Sequence, residues 1–335
     1  MQHVKKVLLF LITLLFFVGC QSQIATPVMA PIPIPDVANN PIIKVIPELP
    51  GAFFVMVDDH PNARPQLNLE KADIVYEMIC EWTITRYMAG FYTKDPGKVG
   101  PVRSARYYYA QAVNPYDTLY IHVGGNMDAM KMIKDLKLKD MCDITNASGY
   151  YVRDKNRKAP HNAYITTKSL LKYAKKKNYE LKPLPDLTRG KLTGGRDINK
   201  LELTYGTDKY PHDIKWEYQV DNDRYLRYLN GDVFITASGN NIYADNLIII
   251  EAPTKLVNVP VDYKQSEMNI IGKGRAIFLR NGKMYSGFWQ KDSVNDHFTY
   301  RLDDGRMWVY SQGNVWIQQV HSLDENTTIS FKSSQ

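Results

Sequence analysis

Three cysteines in 335 residues are too few to staple a fold by disulfides. No HExxH and no paired CxxC occurs, so neither common zinc pattern is present and no metal is expected. A P-loop, a GxGxxG after a strand and a GxSxG elbow are also missing. Those absences remove the usual nucleotide cradles and the α/β-hydrolase nucleophile, and no cofactor is implied. No internal repeat is visible, which argues against a solenoid or propeller.

What is present begins with an address. Lys5 and Lys6 precede an apolar run, Val7 to Val18, broken only by Thr13. The run falls short of the ~20 residues of a comfortable membrane span and has the layout of a secretory signal. Phe17-Val18-Gly19-Cys20 closes it like a lipobox. The expectation is a signal peptide over residues 1–19, removed so that Cys20 is lipidated, palmitate included, and holds the chain on the extracytoplasmic face of the cell membrane. Loss of the two lysines takes the formal charge from +7 to about +5. An exported basic protein meets anionic headgroups and wall polymers rather than nucleic acid.

Residues 20–50 read as a tether. Seven prolines from Pro27 to Pro50 keep it extended. Residues 51–182 read as a mixed α/β domain. In Asp73 to Trp82, the residues Ile74, Tyr76, Met78, Cys80 and Trp82 face one way, and Val75, Glu77, Ile79 and Glu81 the other. A strand at Thr118 to Val123 ends in Gly124-Gly125, and Asn126 can cap a helix running to Leu136. Thr166 to Lys177 reads as a basic amphipathic helix. Residues 183–213 read as a linker or surface loops. Residues 214–335 carry short strands separated by Asn230-Gly231, Asn281-Gly282 and Asp304-Gly305, the pattern of a small antiparallel β domain. The fold class expected is α+β. Cys80 and Cys142 are either a disulfide or buried thiols.

The residues able to do chemistry fall in four groups. In Gly100 to Arg106, GPVRSAR, a helix starting at Pro101 puts Arg103 and Arg106 on one face, with Ser104 between them. Guanidiniums at a helix start can cradle phosphate, pyrophosphate or carboxylate. They can equally pair with Glu77 and Glu81 on the neighbouring strand. Arg157, His161 and Asn162 follow in RKAPHNAY, where the imidazole could serve as acid, base or anion ligand. His122 sits at a strand end, where ligands collect in crossover sheets. Asp58-Asp59-His60 ends another strand.

Six stretches in this order, VMVDDHPNARPQ, KADIVYE, ITRYMAGF, KVGPVRSAR, YIHVGGN and RKAPHNAY, resemble the N-terminal domain of the YerB-like bacterial lipoproteins. GKGRAIFLRNGKMYSGFW and GNVWIQQV resemble that family's C-terminal domain. The resemblance implies a two-domain lipoprotein of a Gram-positive bacterium and supplies no activity, the domains being of unknown function. Asp59 stands where the family pattern leads one to expect Asn, and Trp82 where it leads one to expect Gly. Three functions stay open. The first is a scaffold factor binding an anionic, wall or lipid-linked ligand through Arg103, Ser104, Arg106, His122, Arg157, His161 and Asn162. The second is a hydrolase or transferase acting on wall glycan or polyprenyl pyrophosphate, with Asp59, Glu77, Glu81 or His161 as acid–base groups. The third is a regulator bound to wall-synthesis proteins, with the arginines purely structural.

Overall fold

A computed structural model of the chain describes residues 46–258 and 264–332. The lipobox and most of the tether lie outside the described residues. No helix among those described is long and apolar enough to cross a membrane.

The strands and helices that position the site are, in chain order, β1 (Phe53–Asp58), β2 (Ile74–Glu81), β3 (Ile84–Phe91), α1 (Tyr107–Val113), β4 (Leu119–His122), α2 (Met127–Asp135), β5 (Lys139–Cys142) and α3 (Thr167–Lys176). They continue with β6 (Arg196–Thr204), β7 (Asp213–Gln219), β8 (Arg224–Leu229), β9 (Asn246–Glu251), β10 (Gly272–Arg280), β11 (Lys283–Lys291), β12 (Thr299–Leu302), β13 (Val315–Val320) and β14 (Thr327–Phe331).

One sheet runs through both halves of the sequence. Its order is β5, β4, β1, β3, β2, β13, β9, β10, β11, β12. The seam is the parallel pair β2–β13, with Tyr76 opposite Ile317 and Glu77 opposite Gln318. β13 is also parallel to β9. A parallel strand buried on both faces needs apolar residues on both, and VWIQQV is buried throughout. Of the two glutamines, Gln318 accepts from Trp216 Nε1 with its Nε2 left unpaired, and Gln319 donates to the Ala252 carbonyl.

Each face of the sheet is covered. On one side Val55, Val75, Ala89, Leu247 and Trp316 pack against a second sheet, β14–β6–β7–β8, and against α3. On the other, Phe54, Met56, Tyr76, Met78, Ile248 and Ile317 pack under α1, α2 and a group of aromatic rings from Phe298 to Trp308.

The fold differs from expectation in four places. Strands dominate and helices are few, so the molecule is β-rich rather than an α+β chain with a mixed first half. The C-terminal half is not purely antiparallel, because β13 is parallel to both neighbours. Arg196–Thr204, expected as linker, is a nine-residue strand in which Ile198, Leu201 and Leu203 are buried. The three prolines and four glycines of residues 183–213 masked that strand. Pro101 to Arg106 is extended, not helical, and the helix begins only at Tyr107. Its backbone groups are taken by distant neighbours: Val102 N donates to Ala163 O, Arg103 N to Met56 O, and Ala105 N to Gly124 O. Gly100 lets this thread enter, because at φ +150° a Cβ there would lie 2.8 Å from the Ala163 carbonyl oxygen.

The seam predicts cooperative behaviour. The full chain in detergent micelles should show one calorimetric unfolding transition, and two resolved transitions would mean the halves fold separately. Replacing Trp316 by Ala should cost about 3–5 kcal/mol by denaturant titration, the range for emptying a buried aromatic site.

Candidate functional site

β1 is buried over all six residues and delivers two aspartates at its end. Successive side chains alternate across a sheet, so Asp58 and Asp59 go to opposite faces. Each meets a different set of partners.

Asp58 belongs to the face under α1 and α2. It lies opposite Arg86 of β3 in the register. His161 Nδ1 is 2.7 Å from its Oδ2, Arg103 Nε is 3.4 Å from the same oxygen, and His60 donates its backbone N–H to Oδ1. The rings of His60 and His161 stack at 4.4 Å. Burial pushes the Asp58 carboxyl up, but the His161 hydrogen bond and the Arg86 and Arg103 charges outweigh it and hold its pKa below the usual value.

Glu81 completes this cluster. A bulge between Ile79 and Glu81 breaks the alternation of β2 and turns Glu81 toward the arginines. Its Oε1 accepts from Arg86 Nη2 at 2.8 Å and from Arg106 Nη2 at 2.5 Å. Burial raises this carboxyl too, and Arg86 and Arg106 bring it below the ordinary glutamate value. Arg86 also donates to the Ser104 carbonyl at 2.7 Å. Arg86 and Arg106 are buried, whereas the Arg103 side chain keeps 22% exposure. The cluster therefore holds three guanidiniums against two carboxylates. Arg103 is the one left partly open, while Nε of all three arginines is buried without a hydrogen-bond partner.

The tyrosines behind the arginines secure the bulge. Tyr109 OH accepts from Met78 N at 2.9 Å and donates to the Arg86 carbonyl, and Tyr108 OH reaches Ile79 O at 2.9 Å. Trp82, expected on the core face, instead turns the chain at φ +49° and is 49% exposed beside Tyr210.

Asp59 and Glu77 face the second sheet and are fully buried. Glu77 accepts from Arg227 Nη2 at 2.7 Å, Trp316 Nε1 at 2.8 Å and Thr85 Oγ1 at 2.9 Å. Asp59 accepts from Arg64 Nε at 3.0 Å, and His212 Nε2 is 3.3 Å from its other oxygen. Burial pushes Glu77 up, with Arg227 opposing and Asp59 adding to the rise. Asp59 lies below its ordinary value because Arg64, His212 and Arg227 outweigh its burial. Burial pulls His212 down to about 4, so it is neutral, with Nδ1 free to accept from Arg64 Nη2. One ligand atom each from Asp59, Glu77 and His212 lies within 4.8 Å of the others. A cation there would sit against Arg64 and Arg227, whose charges already fill that role.

The remaining candidates lie elsewhere. His122 is buried in a third cluster, with Nε2 2.6 Å from Asp140 and Nδ1 2.7 Å from the Gly124 carbonyl. Burial pulls this imidazole down, but Asp140 outweighs it and pushes the pKa up to about 9. Cys142 beside it is buried, and His122 brings the thiol down to about 7 against the effect of burial. Cys80 and Cys142 are free thiols. Arg157 donates to the Pro65 carbonyl at 3.0 Å, which ties down the loop after β1, and Asn162 donates to the Arg157 carbonyl at 3.4 Å. Neither Arg157 nor His122 joins the Arg103 cluster, and neither Asp59 nor Glu77 faces it. Arg86 and Arg227 went unnoticed in the sequence. Each is a charge set inside an apolar strand, ITRYM and YLRYL, and that placement was the available signal.

Models of the family described as "Protein of unknown function (DUF3048)" match this chain twice. The N-terminal domain model covers residues 46–180 and the C-terminal domain model residues 201–317. The chain belongs to this two-domain family, as the motif resemblance implied. It is 29% identical over 313 residues to "Putative lipoprotein YerB" of Bacillus subtilis (strain 168), covering 92% of each chain. Its fold is similar to the crystal structure of the YerB protein from Bacillus subtilis, with a TM-score of 0.76 and 27% identity, over 90% of this chain and 100% of that one.

The buried histidine predicts an acid-side slope. The unfolded chain takes up a proton near pH 6.5 that His212 in the folded chain refuses until about pH 4. Its stabilising contribution is whole above 6.5 and is lost as pH falls toward 4. Urea titrations of the full chain at pH 7.0, 5.5 and 4.5 should show this loss, and a His212→Gln variant should show a shallower one.

Proposed function

We propose that the chain is a lipid-anchored protein of the extracytoplasmic face that binds an anionic envelope ligand at the Arg103 mouth. Three guanidiniums set against two carboxylates carry this reading. Arg86 and Arg106 are consumed by Glu81, and Arg103 is left partly exposed with one long contact to Asp58. A phosphate, pyrophosphate or carboxylate entering there meets a planar, pre-positioned donor backed by like charge. His60 and His161 form the adjoining wall. Lipid anchoring rests on Cys20 at the end of the apolar run and on the name of the Bacillus subtilis relative. Wall assembly is the process in which an exported basic protein meets such ligands, and wall-synthesis proteins are natural partners.

Binding without turnover fits the carboxylates better than catalysis does. Glu81 is saturated by two arginines, and Asp59 and Glu77 are sealed in the other face. None of the three is free to act as an acid or base on a ligand held by Arg103, and of the acid–base candidates only His161, held by Asp58, lies in its cluster.

Isothermal titration of the full chain with inorganic phosphate and pyrophosphate tests this. Saturable binding should weaken about 10-fold or more in Arg103→Ala, the scale of one charge-assisted hydrogen bond, with the unfolding midpoint nearly unchanged. Absence of binding to both anions, or an Arg103→Ala variant that simply unfolds, would make the arginines structural.

A further inference from the structure

A cavity of about 260 Å³ opens on the same face of the sheet, at the N-terminal end of β2. Three parts of the chain wall it: Tyr76 and Tyr116 from the first half, Pro185 to Thr188 from the connector, and Phe298, Tyr300, Trp308 and Tyr310 from the second. Junctions of this kind are where small-molecule sites concentrate. The rings form a connected wall. Tyr76 and Phe298 are 6.0 Å apart, Phe298 stacks on Tyr300 at 6.2 Å, and Trp308 meets Tyr310 at 6.0 Å.

Two polar atoms of these lining residues lack partners. Tyr300 OH and Trp308 Nε1 are both buried and hydrogen-bond to nothing in the protein. Buried polar groups are nearly always satisfied, so two orphans on residues lining one cavity point to an absent partner.

We propose that this cavity binds a neutral, hydroxyl-bearing ring, a pyranose unit of a glycan. The volume admits one ring rather than a drug-sized ligand. Aromatic faces pack against the C–H faces of a sugar, and its hydroxyls supply partners for the phenol and the indole. Other ligand chemistries fit less well. A hydrocarbon chain leaves both orphans unpaired. An anion finds no cation in the lining, which holds no lysine or arginine, and burial and Lys291 keep the His297 pKa low. An ammonium group would suit the rings and the exposed Asp186, but Lys291 already sets a positive charge 5.8 Å from the Phe298 ring.

The test is saturation-transfer NMR on the full chain in a non-glycosidic detergent, with methyl glucoside, N-acetylglucosamine and choline as probes. Transfer to at least one sugar is expected, with saturable binding. Tyr300→Phe keeps the ring and deletes the orphan hydroxyl, and Trp308→Phe keeps an aromatic face while deleting the indole N–H. Each should weaken sugar binding about 3- to 10-fold, the scale of one neutral hydrogen bond, with the midpoint of unfolding unchanged or raised in Tyr300→Phe and lowered in Trp308→Phe, whose smaller ring leaves a gap. Arg103→Ala should leave it untouched, which separates this site from the anion mouth. Transfer to choline alone, to no probe, or sugar binding indifferent to both ring variants overturns the proposal.

Discussion

Glu77 holds the two halves of the chain together. It sits on β2, the strand that joins them, and its donors come from both sides: Thr85 from the first half, Arg227 and Trp316 from the second. Arg227 has no hydrogen-bond partner for Nε or Nη1, yet four rings surround it, with Phe234 at 4.8 Å and Trp316 at 5.4 Å. Those rings supply a partial counter-charge in a site too dry for water. The arrangement is costly to break, since losing one member leaves a buried charge bare, at about 3–5 kcal/mol. It is not the cheapest way to join two sheets, because apolar residues of equal volume often do as well. What ions add here is register. Only one alignment of β2 against β13 brings Trp316 Nε1 to Glu77 while Val75 lies opposite Trp316.

That fixed register is what makes the Arg103 mouth possible. β1 carries Asp58 to one face and Asp59 to the other, and Asp59 is tied into the Glu77 network through Thr85, which lies 2.9 Å from each carboxylate. The strand end is thereby anchored from behind. Asp58 is presented to His161 and Arg103 by a backbone that cannot shift without disturbing the buried network. Rigid support of this kind lets a partly exposed arginine remain pre-positioned.

Much of the architecture could be read from local pattern. The Ile74-to-Cys80 alternation gave a strand with the correct faces, Asn126 caps α2 by accepting from Ala129 N, and Asn281-Gly282 turns β10 into β11. These depend on neighbours in sequence. The extended course of Pro101 to Arg106 depends instead on Met56, Gly124 and Ala163, and no local rule sees those partners. The same limit hid the Arg227–Glu77 pair, 150 residues apart. Spacing alone favoured a helix, because Pro101 suits a first turn and Arg103 and Arg106 then share a face. The structure reaches a similar proximity by another route, through a strand bulge that turns Glu81 toward Arg106.

The sugar-sized cavity and the arginine mouth lie toward opposite ends of β2, on one face of it. Tyr76 borders the first and Glu81 the second, five residues or roughly 16 Å apart at the rise of a strand. A ligand bearing both a glycan and an anionic group could in principle bridge that span. The tyrosines of α1 prevent it along the sheet. Tyr108 and Tyr109 cover Met78 to Cys80 between the two sites, both fully buried and bonded to the strand backbone. Opening that path would expose the bulge that aims Glu81. On the binding proposed for each, the two sites would take separate ligands, or parts of one ligand that passes over the outside of α1.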